Sequence, residues 1–296
     1  MQEHDILILG AGWTSTFLIP LLSAKRISFA ATTRDGRKVA GVTTIPWTFN
    51  PDEDSTQQTS KSQFSSLPLA KHILITFPLT GPGQSQNLVK GYSLAHGNKT
   101  GGSVKFIQLG STGIWQIPQK TLWVSRKSPY DTENKRAIAE DELLGLDGCV
   151  LNLAGLWGGE RDPKKWVDRV AKTKEDVKGK RSLHMIHGLD VARAIVAMMG
   201  RWELCKGQRW MLTDGFVYDW WSLMAGWADS KNENGGGDED GGKADREPLD
   251  QARWVYEIMR EEKVHALPRS MEELGRCYFG REFWDQFGLV PLKARI

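Results

Sequence analysis

Residues 6–15, ILILGAGWTS, set an apolar run directly against Gly10-Ala11-Gly12, and the apolar pattern resumes at Phe17 to Leu22 with no long loop between. A buried strand, a tight turn and the opening of a helix are expected there. Such a helix start offers free backbone N–H groups and the positive end of its dipole to a phosphate. Gly10 supplies the turn and Gly12 lets phosphates approach closely, in the G-x-G-x-x-G pattern of a dinucleotide loop, with Ser15 at the third glycine position. Trp13 and Thr14 complete the loop, and Pro78, which ends the apolar run 72–77, is assigned to the same cofactor site. Pro20 removes a backbone donor inside the following helix, so a short or bent first helix is expected.

The next apolar run, 27–33, ends at Arg34. About twenty residues past the glycines, an acidic side chain reads a ribose hydroxyl and an arginine accepts a 2′-phosphate. Arg34 therefore points to NADP, while the adjacent Asp35 keeps NAD as the alternative. Arg37 and Lys38 beside it also fit a solvated basic turn.

The elements that must position these residues recur along the chain. Apolar runs at 72–77, 104–109 and 149–153 end in Pro78, in Gly110-Ser111-Thr112 and in Ala154-Gly155. Strands that are apolar throughout, separated by helical stretches, indicate a doubly wound parallel sheet of the Rossmann type with helices on both faces. Ligands then bind beyond the carboxyl ends of the strands. The 296 residues accommodate a nucleotide-binding core over 1–155 and a mixed segment over 156–296. That second segment is expected to return strands to the core and to form a smaller C-terminal substrate lobe. Near 229–248 the composition shifts to Asn, Gly, Asp, Glu and Lys, which marks a disordered insertion. The Lys/Arg-rich stretch 160–181 also carries acidic residues and reads as a solvated helix face.

Charge is nearly balanced, 39 basic against 36 acidic residues for a formal net of +3, which gives no nucleic-acid signature. Cys149, Cys205 and Cys277 have no paired spacing and fit a reducing compartment without a metal site. No leader and no membrane span is read, so a cytoplasmic protein is expected. Most of the 13 tryptophans, including the late cluster Trp202, Trp210, Trp220, Trp221 and Trp227, are expected as core or pocket walls.

The ordered landmarks resemble a known family. The loop Gly10 to Ser15, Thr33-Arg34, LGSTGIW at 109–115, RAIAEDEL at 136–143, LAGLWGGER at 153–161, IHGLDVA at 186–192 and WMLTDG at 210–215 look like the extended and atypical short-chain dehydrogenase/reductases. These are the NAD-dependent epimerase/dehydratase group. The resemblance runs through about residue 228 and resumes loosely afterwards. It implies a Rossmann core, a nucleotide over the strand ends, a small-molecule substrate beneath a closing C-terminal lobe and a homodimer through helices flanking strand five.

In that family a serine on strand five and a Tyr-x-x-x-Lys pair polarise and protonate a carbonyl. Ser111 matches the serine, but Thr132 and Arg136 stand where the pair would be, and Trp115 replaces the tyrosine that often closes the strand-five motif. Arg136 suits a cofactor ribose or phosphate. Tyr130 and Lys135, read on one helix, would point roughly 140° apart and share no face. Three readings follow. The first is an NADP-dependent oxidoreductase in which Ser111 binds the substrate oxygen and Tyr130 or His187 gives the proton. The second is a non-catalytic NADP-sensing regulator, and the third a lyase, isomerase or cyclase on the same fold. The oxidoreductase is the one adopted.

Overall fold

The computed structural model describes residues 3–52, 62–96, 102–228, 248–294 and 296. Except for residue 248, the expected insertion lies outside the described residues. Seven strands among the described residues form one parallel sheet: β1 (His4–Leu9), β2 (Phe29–Thr33), β3 (Ile45–Pro46), β4 (Ala70–Ile75), β5 (Lys105–Ser111), β6 (Cys149–Leu153) and β7 (Arg209–Leu212). Their spatial order is β7-β6-β5-β4-β1-β2-β3. The order reverses at β1, which opens a crevice between the ends of β1 and β4, the usual place for a nucleotide.

Chain composition explains why both faces of this sheet are covered. Ile6, Leu7, Ile8 and Leu9 are all fully buried, and successive side chains alternate between faces. Ile6 and Ile8 join a cluster with Leu18, Ile19 and Leu22 of α1 (Trp13–Ala24) and with Val191, Ile195 and Met198 of α4 (Gly188–Gly200). Leu7 and Leu9 join a second cluster with Leu88 and Tyr92 of α2 (Gln84–His96) and Ala139 and Leu143 of α3 (Lys135–Gly145). Each such aliphatic side chain contributes about 1.5–3 kcal/mol through burial.

A smaller core lies in the C-terminal half. Trp220 and Trp221 of α5 (Trp220–Gly226) pack with Trp227 and with Val255 and Ile258 of α6 (Asp250–Glu261). A buried ion pair, Arg269 Nη2 to Asp219 Oδ1 at 2.7 Å, closes this core, with the guanidinium 3.7 Å from the Trp221 ring centre. Trp210 packs with Phe283 and Phe287 of α7 (Arg281–Phe287) in the first cluster. The late tryptophans at 210, 220, 221 and 227 are thus core residues. The segment folds back over the strand ends, where Tyr278 donates its hydroxyl hydrogen to the carbonyl of Thr112 at 2.9 Å. The chain end is tied to α4 by Asp190, whose carboxylate accepts from the amides of Leu292 and Lys293.

Two local expectations are corrected. α1 runs twelve residues through Pro20 instead of stopping short. Pro20 and Thr16, four residues earlier, are both exposed, so the missing hydrogen bond falls on the solvent side of the helix. The stretch 160–181 is not one helix but the short turns Pro163–Trp166, Val167–Val170 and Lys174–Lys178. Asp162 and Thr173 restart the chain by capping the first and last of these.

Candidate functional site

The glycine loop is built from both neighbours of β1. Gly10 sits at φ +82°, and its N–H donates to Thr32 Oγ1 at 3.0 Å while Ala11 N–H donates to the Thr32 carbonyl at 2.6 Å. From β4, the Thr76 hydroxyl donates to the Gly10 carbonyl. A Cβ on Gly10 would fall 2.9 Å from the Phe77 ring and 3.1 Å from Thr76 Oγ1, so the position takes glycine for space as well as for backbone angle. Ser15 is fully buried at the third fingerprint position, and Thr14 is buried beside it.

The helices after β1 and β4 end in opposite ways. At α2, the amides of Gly83, Ser85 and Gln86 donate to the Glu142 carboxylate at 2.9, 3.0 and 3.1 Å. That N-terminus is neutralised from within the fold. At α1, Gly12 provides no side-chain cap and the first turn carries no acidic residue. Ser15 N–H turns back to the Gly12 carbonyl at 3.0 Å, and among the described residues no carboxylate caps this end.

A cavity of about 490 Å³ opens beside this end of α1, lined by Gly10 to Gly12, by Thr33, Arg34 and Arg37, and by Phe77 to Thr80. Its aromatic wall comes from Trp47 and Phe49, whose ring centres lie 6.4 and 6.1 Å from that of Phe77. Sequence reasoning missed Trp47, Phe49 and Phe77 as site residues. The W-T-F triplet after Pro46 was the available signal, but the pairing of β3 with β2 is what brings it to the cavity. Arg34 is exposed and has no ion pair among the described residues. Asp35 is engaged by Arg37 at 3.1 Å. Gly10, Gly12, Arg34 and Pro78 therefore share one cavity, whereas the Trp13 indole turns toward the far side and donates to the Gly158 carbonyl at 3.1 Å.

The groups expected to move protons are more scattered. Ser111 ends β5, and its Oγ accepts from the Gly113 amide at 3.1 Å. Below it, Asn152 Nδ2 bridges the Ser111 carbonyl at 3.0 Å and the buried Glu140 carboxylate at 2.9 Å. Burial raises the Glu140 pKa, while Asn152 and Arg209 hold its charged form. Tyr130 donates its hydroxyl hydrogen to Asp141 Oδ1 at 2.8 Å, with the Arg209 guanidinium 4.5 Å from its ring centre. Burial first, then the Asp141 carboxylate, push its pKa up.

α3 begins only at Lys135, with Asn134 capping the Arg136 amide, so Tyr130 and Thr132 precede the helix. The helical angle expected between Tyr130 and Lys135 does not apply. Arg136 is exposed on the first turn, next to Lys135, whose carbonyl accepts from Gly81 N–H at 2.7 Å, beside the wall formed by Phe77 to Thr80. His187 caps α4, its Nδ1 accepting from the Leu189 amide at 3.0 Å. Its ring stands edge-on to Phe17 and Trp157, and burial lowers its pKa.

A crevice at the β1/β4 reversal, a glycine loop opening α1 and a C-terminal segment bonded to the end of β5 together give this chain the fold of the extended short-chain dehydrogenase/reductases. Three solved structures show the likeness. A functionally unknown conserved protein from Silicibacter pomeroyi DSS is 17% identical, with a TM-score of 0.58 over 99% of this chain and 93% of that one. Yeast methylglyoxal/isovaleraldehyde reductase Gre2, complexed with NADPH, is 13% identical, with a TM-score of 0.58 over 98% and 94%. Thermus thermophilus UDP-glucose 4-epimerase, complexed with NAD, is 12% identical, with a TM-score of 0.57 over 98% and 95%. No protein-family model matches the chain, and no curated protein matches it in sequence.

Proposed function

We propose that this chain is an NADP-dependent oxidoreductase of the atypical short-chain type, acting on a small carbonyl or hydroxyl substrate above the ends of β5 and β6. The observation that carries this reading is the single cavity joining the open end of α1 to Arg34 and an aromatic wall. The cradle fits a dinucleotide: Gly12 adds no side chain, and a Cβ there would meet only the Gly10 carbonyl, at 3.8 Å. The bound cofactor would supply the hydride.

The protein's part follows from its own residues. Trp47, Phe49 and Phe77 enclose the adenine, Arg34 with Arg37 takes the 2′-phosphate, and the α1 amides take the diphosphate. Ser111 donates a hydrogen bond to the substrate oxygen, and Arg136, on the rim, holds a ribose or phosphate oxygen. Tyr130 is committed to Asp141 and serves as packing. Residues 1–155 form the nucleotide core in this reading, and 156–296 return β7 and α4 to that core and supply the lobe over the substrate. A cytoplasmic setting and a homodimer belong to the same reading; among the described residues no helix is long and apolar enough to cross a membrane.

A second reading, an NADP-sensing regulator, is favoured by one observation: Tyr130, the tyrosine near the family's catalytic position, is bonded elsewhere. Titration with NADPH and NADH by cofactor fluorescence, followed by a panel of aldehydes, ketones and enones read at 340 nm, separates the readings. Binding with turnover supports the oxidoreductase, and tight binding with no turnover supports the sensor. No binding of either nucleotide rejects both. Arg34→Gln is expected to weaken NADPH about tenfold or more and NADH little.

A further inference from the structure

Arg161 lies in the stretch that reads as a solvated helix face, yet its environment is specific. The turn 158–161 closes on itself, with Gly158 N–H donating to the Arg161 carbonyl at 2.9 Å and Arg161 N–H returning to the Gly158 carbonyl at 3.1 Å. The same Gly158 carbonyl accepts from Trp13 Nε1 at 3.1 Å. The turn is thereby fastened to the first residue of α1, and the Arg161 guanidinium rests 4.4 Å from the Trp13 ring centre.

An indole platform orients a guanidinium without using its N–H groups. Among the described residues Arg161 has neither a carboxylate partner nor a side-chain hydrogen bond, unlike Arg126, Arg193, Arg209 and Arg269, each of which has an acidic partner. Its side chain is exposed, and the groups packed against it lower its pKa with no opposing charge. An exposed guanidinium oriented on a ring, with no carboxylate beside it, presents its N–H fork to an anion.

The sheet order supplies the direction. Arg34 follows β2, on one side of β1, whereas the Arg161 turn follows β6, three strands away on the other side. A dinucleotide with its adenosine beside Arg34 and its diphosphate at Gly12 continues away from β2, toward β5 and β6. We infer that Arg161, held on Trp13, is a cofactor-binding residue that grips the nicotinamide-side phosphate of the dinucleotide. This inference rests on the nucleotide reading above, and it assigns the far end of that site.

The test compares three nucleotides by calorimetry on the full chain: NADPH, 2′-phospho-ADP-ribose, which keeps both phosphates of the diphosphate, and adenosine 2′,5′-bisphosphate, which lacks the second. Arg161→Gln is expected to weaken the first two about tenfold or more and to leave the third unchanged. Arg161→Lys is expected to fall between, because it keeps the charge and loses the planar fork. The unchanged third affinity also certifies that the variant is folded. Equal affinities of wild type and Arg161→Gln for all three nucleotides overturn the inference and leave the nucleotide reading standing. Equal losses for all three also overturn it, since Arg161 would then act on the fold or the adenosine end. Failure of the wild type to bind any of them removes the nucleotide reading, and the inference with it.

Discussion

Tyr130 and Asp141 are joined by a 2.8 Å hydrogen bond, and that bond commits the hydroxyl almost two turns along α3 from Lys135. Asp141 is also held by Arg209 at 3.1 Å, and Arg209 in turn reaches the buried Glu140 at 3.1 Å. The tyrosine is thus the outer member of a charged network that pins α3 to the start of β7. A general acid needs a pKa near the working pH, whereas burial and Asp141 drive this one upward.

Tyr130→Phe is therefore expected to cost about 1 kcal/mol of stability, the usual worth of one hydrogen bond, because Arg209 still satisfies Asp141. NADPH affinity and any turnover are expected to stay within about twofold of wild type, where loss of a general acid costs about a hundredfold or more. Urea denaturation and steady-state assays check the two halves separately. A hundredfold loss of turnover in a fully folded variant would return Tyr130 to catalysis.

Glu142 carries a prediction of another kind, about the start of α2. Its carboxylate receives three backbone N–H groups at the helix start. Glu142→Ala strands all three and removes the charge that opposes the helix dipole, at an expected cost of about 1–2 kcal/mol. Glu142→Gln, which keeps one acceptor oxygen, is expected to cost less. Thermal melts of the two variants would show this ranking, and an unshifted melt for the alanine variant would contradict the capping role.

How much of this was legible in the sequence depended on the range of the interaction. The continuous run Ile6 to Leu9 reads directly as a strand covered on both sides, because burial on two faces leaves no polar alternation. The position of Gly10 and Arg34 at one cavity follows as well, since both are fixed by distance along one strand-helix-strand unit. Trp47 and Phe49 did not, because only the docking of two-residue β3 against β2 turns them toward Phe77. Tyr130 escapes a sequence reading for a local reason: Asn134 caps the helix, so a helical angle does not describe a residue that lies before it. Arg161 was hidden by its neighbours in composition, and its link to Trp13 spans 145 residues between Trp13 and Gly158.

His184 is expected to make the fold acid-sensitive. It is buried, its Nε2 accepts from the Tyr278 amide at 2.9 Å, and burial, then Arg276, press its pKa down to about 3. An unfolded histidine titrates near 6.5, so the neutral ring stabilises the fold fully above that pH, and the contribution is lost as pH falls from about 6.5 toward about 3. The expected slope from this group is about 1.4 kcal/mol per pH unit across that window. His184→Gln keeps an acceptor for Tyr278 and does not titrate, so its stability curve is expected to be flatter there. Denaturation at pH 7, 6, 5 and 4 tests the difference, and parallel curves for the two proteins would refute it.

The two glycines of the loop separate what the fold requires from what a ligand requires. Gly10 lies at φ +82°, and a Cβ there would press on Phe77 at 2.9 Å and Thr76 at 3.1 Å. Gly10→Ala is expected to destabilise the protein by roughly 2 kcal/mol or more, with or without nucleotide. Gly12 lies at φ −129°, and its nearest contact for a Cβ is the Gly10 carbonyl at 3.8 Å. Among the described residues nothing closer opposes a methyl group at Gly12, so Gly12→Ala is expected to change stability by less than about 0.5 kcal/mol. A phosphate seated against the α1 amides does oppose it, so the same variant is expected to lose NADPH affinity about tenfold or more. Melting temperature and fluorescence titration on one preparation measure both quantities. A Gly12→Ala protein that melts and binds like wild type would mean that no phosphate approaches this helix, whatever else the cavity holds.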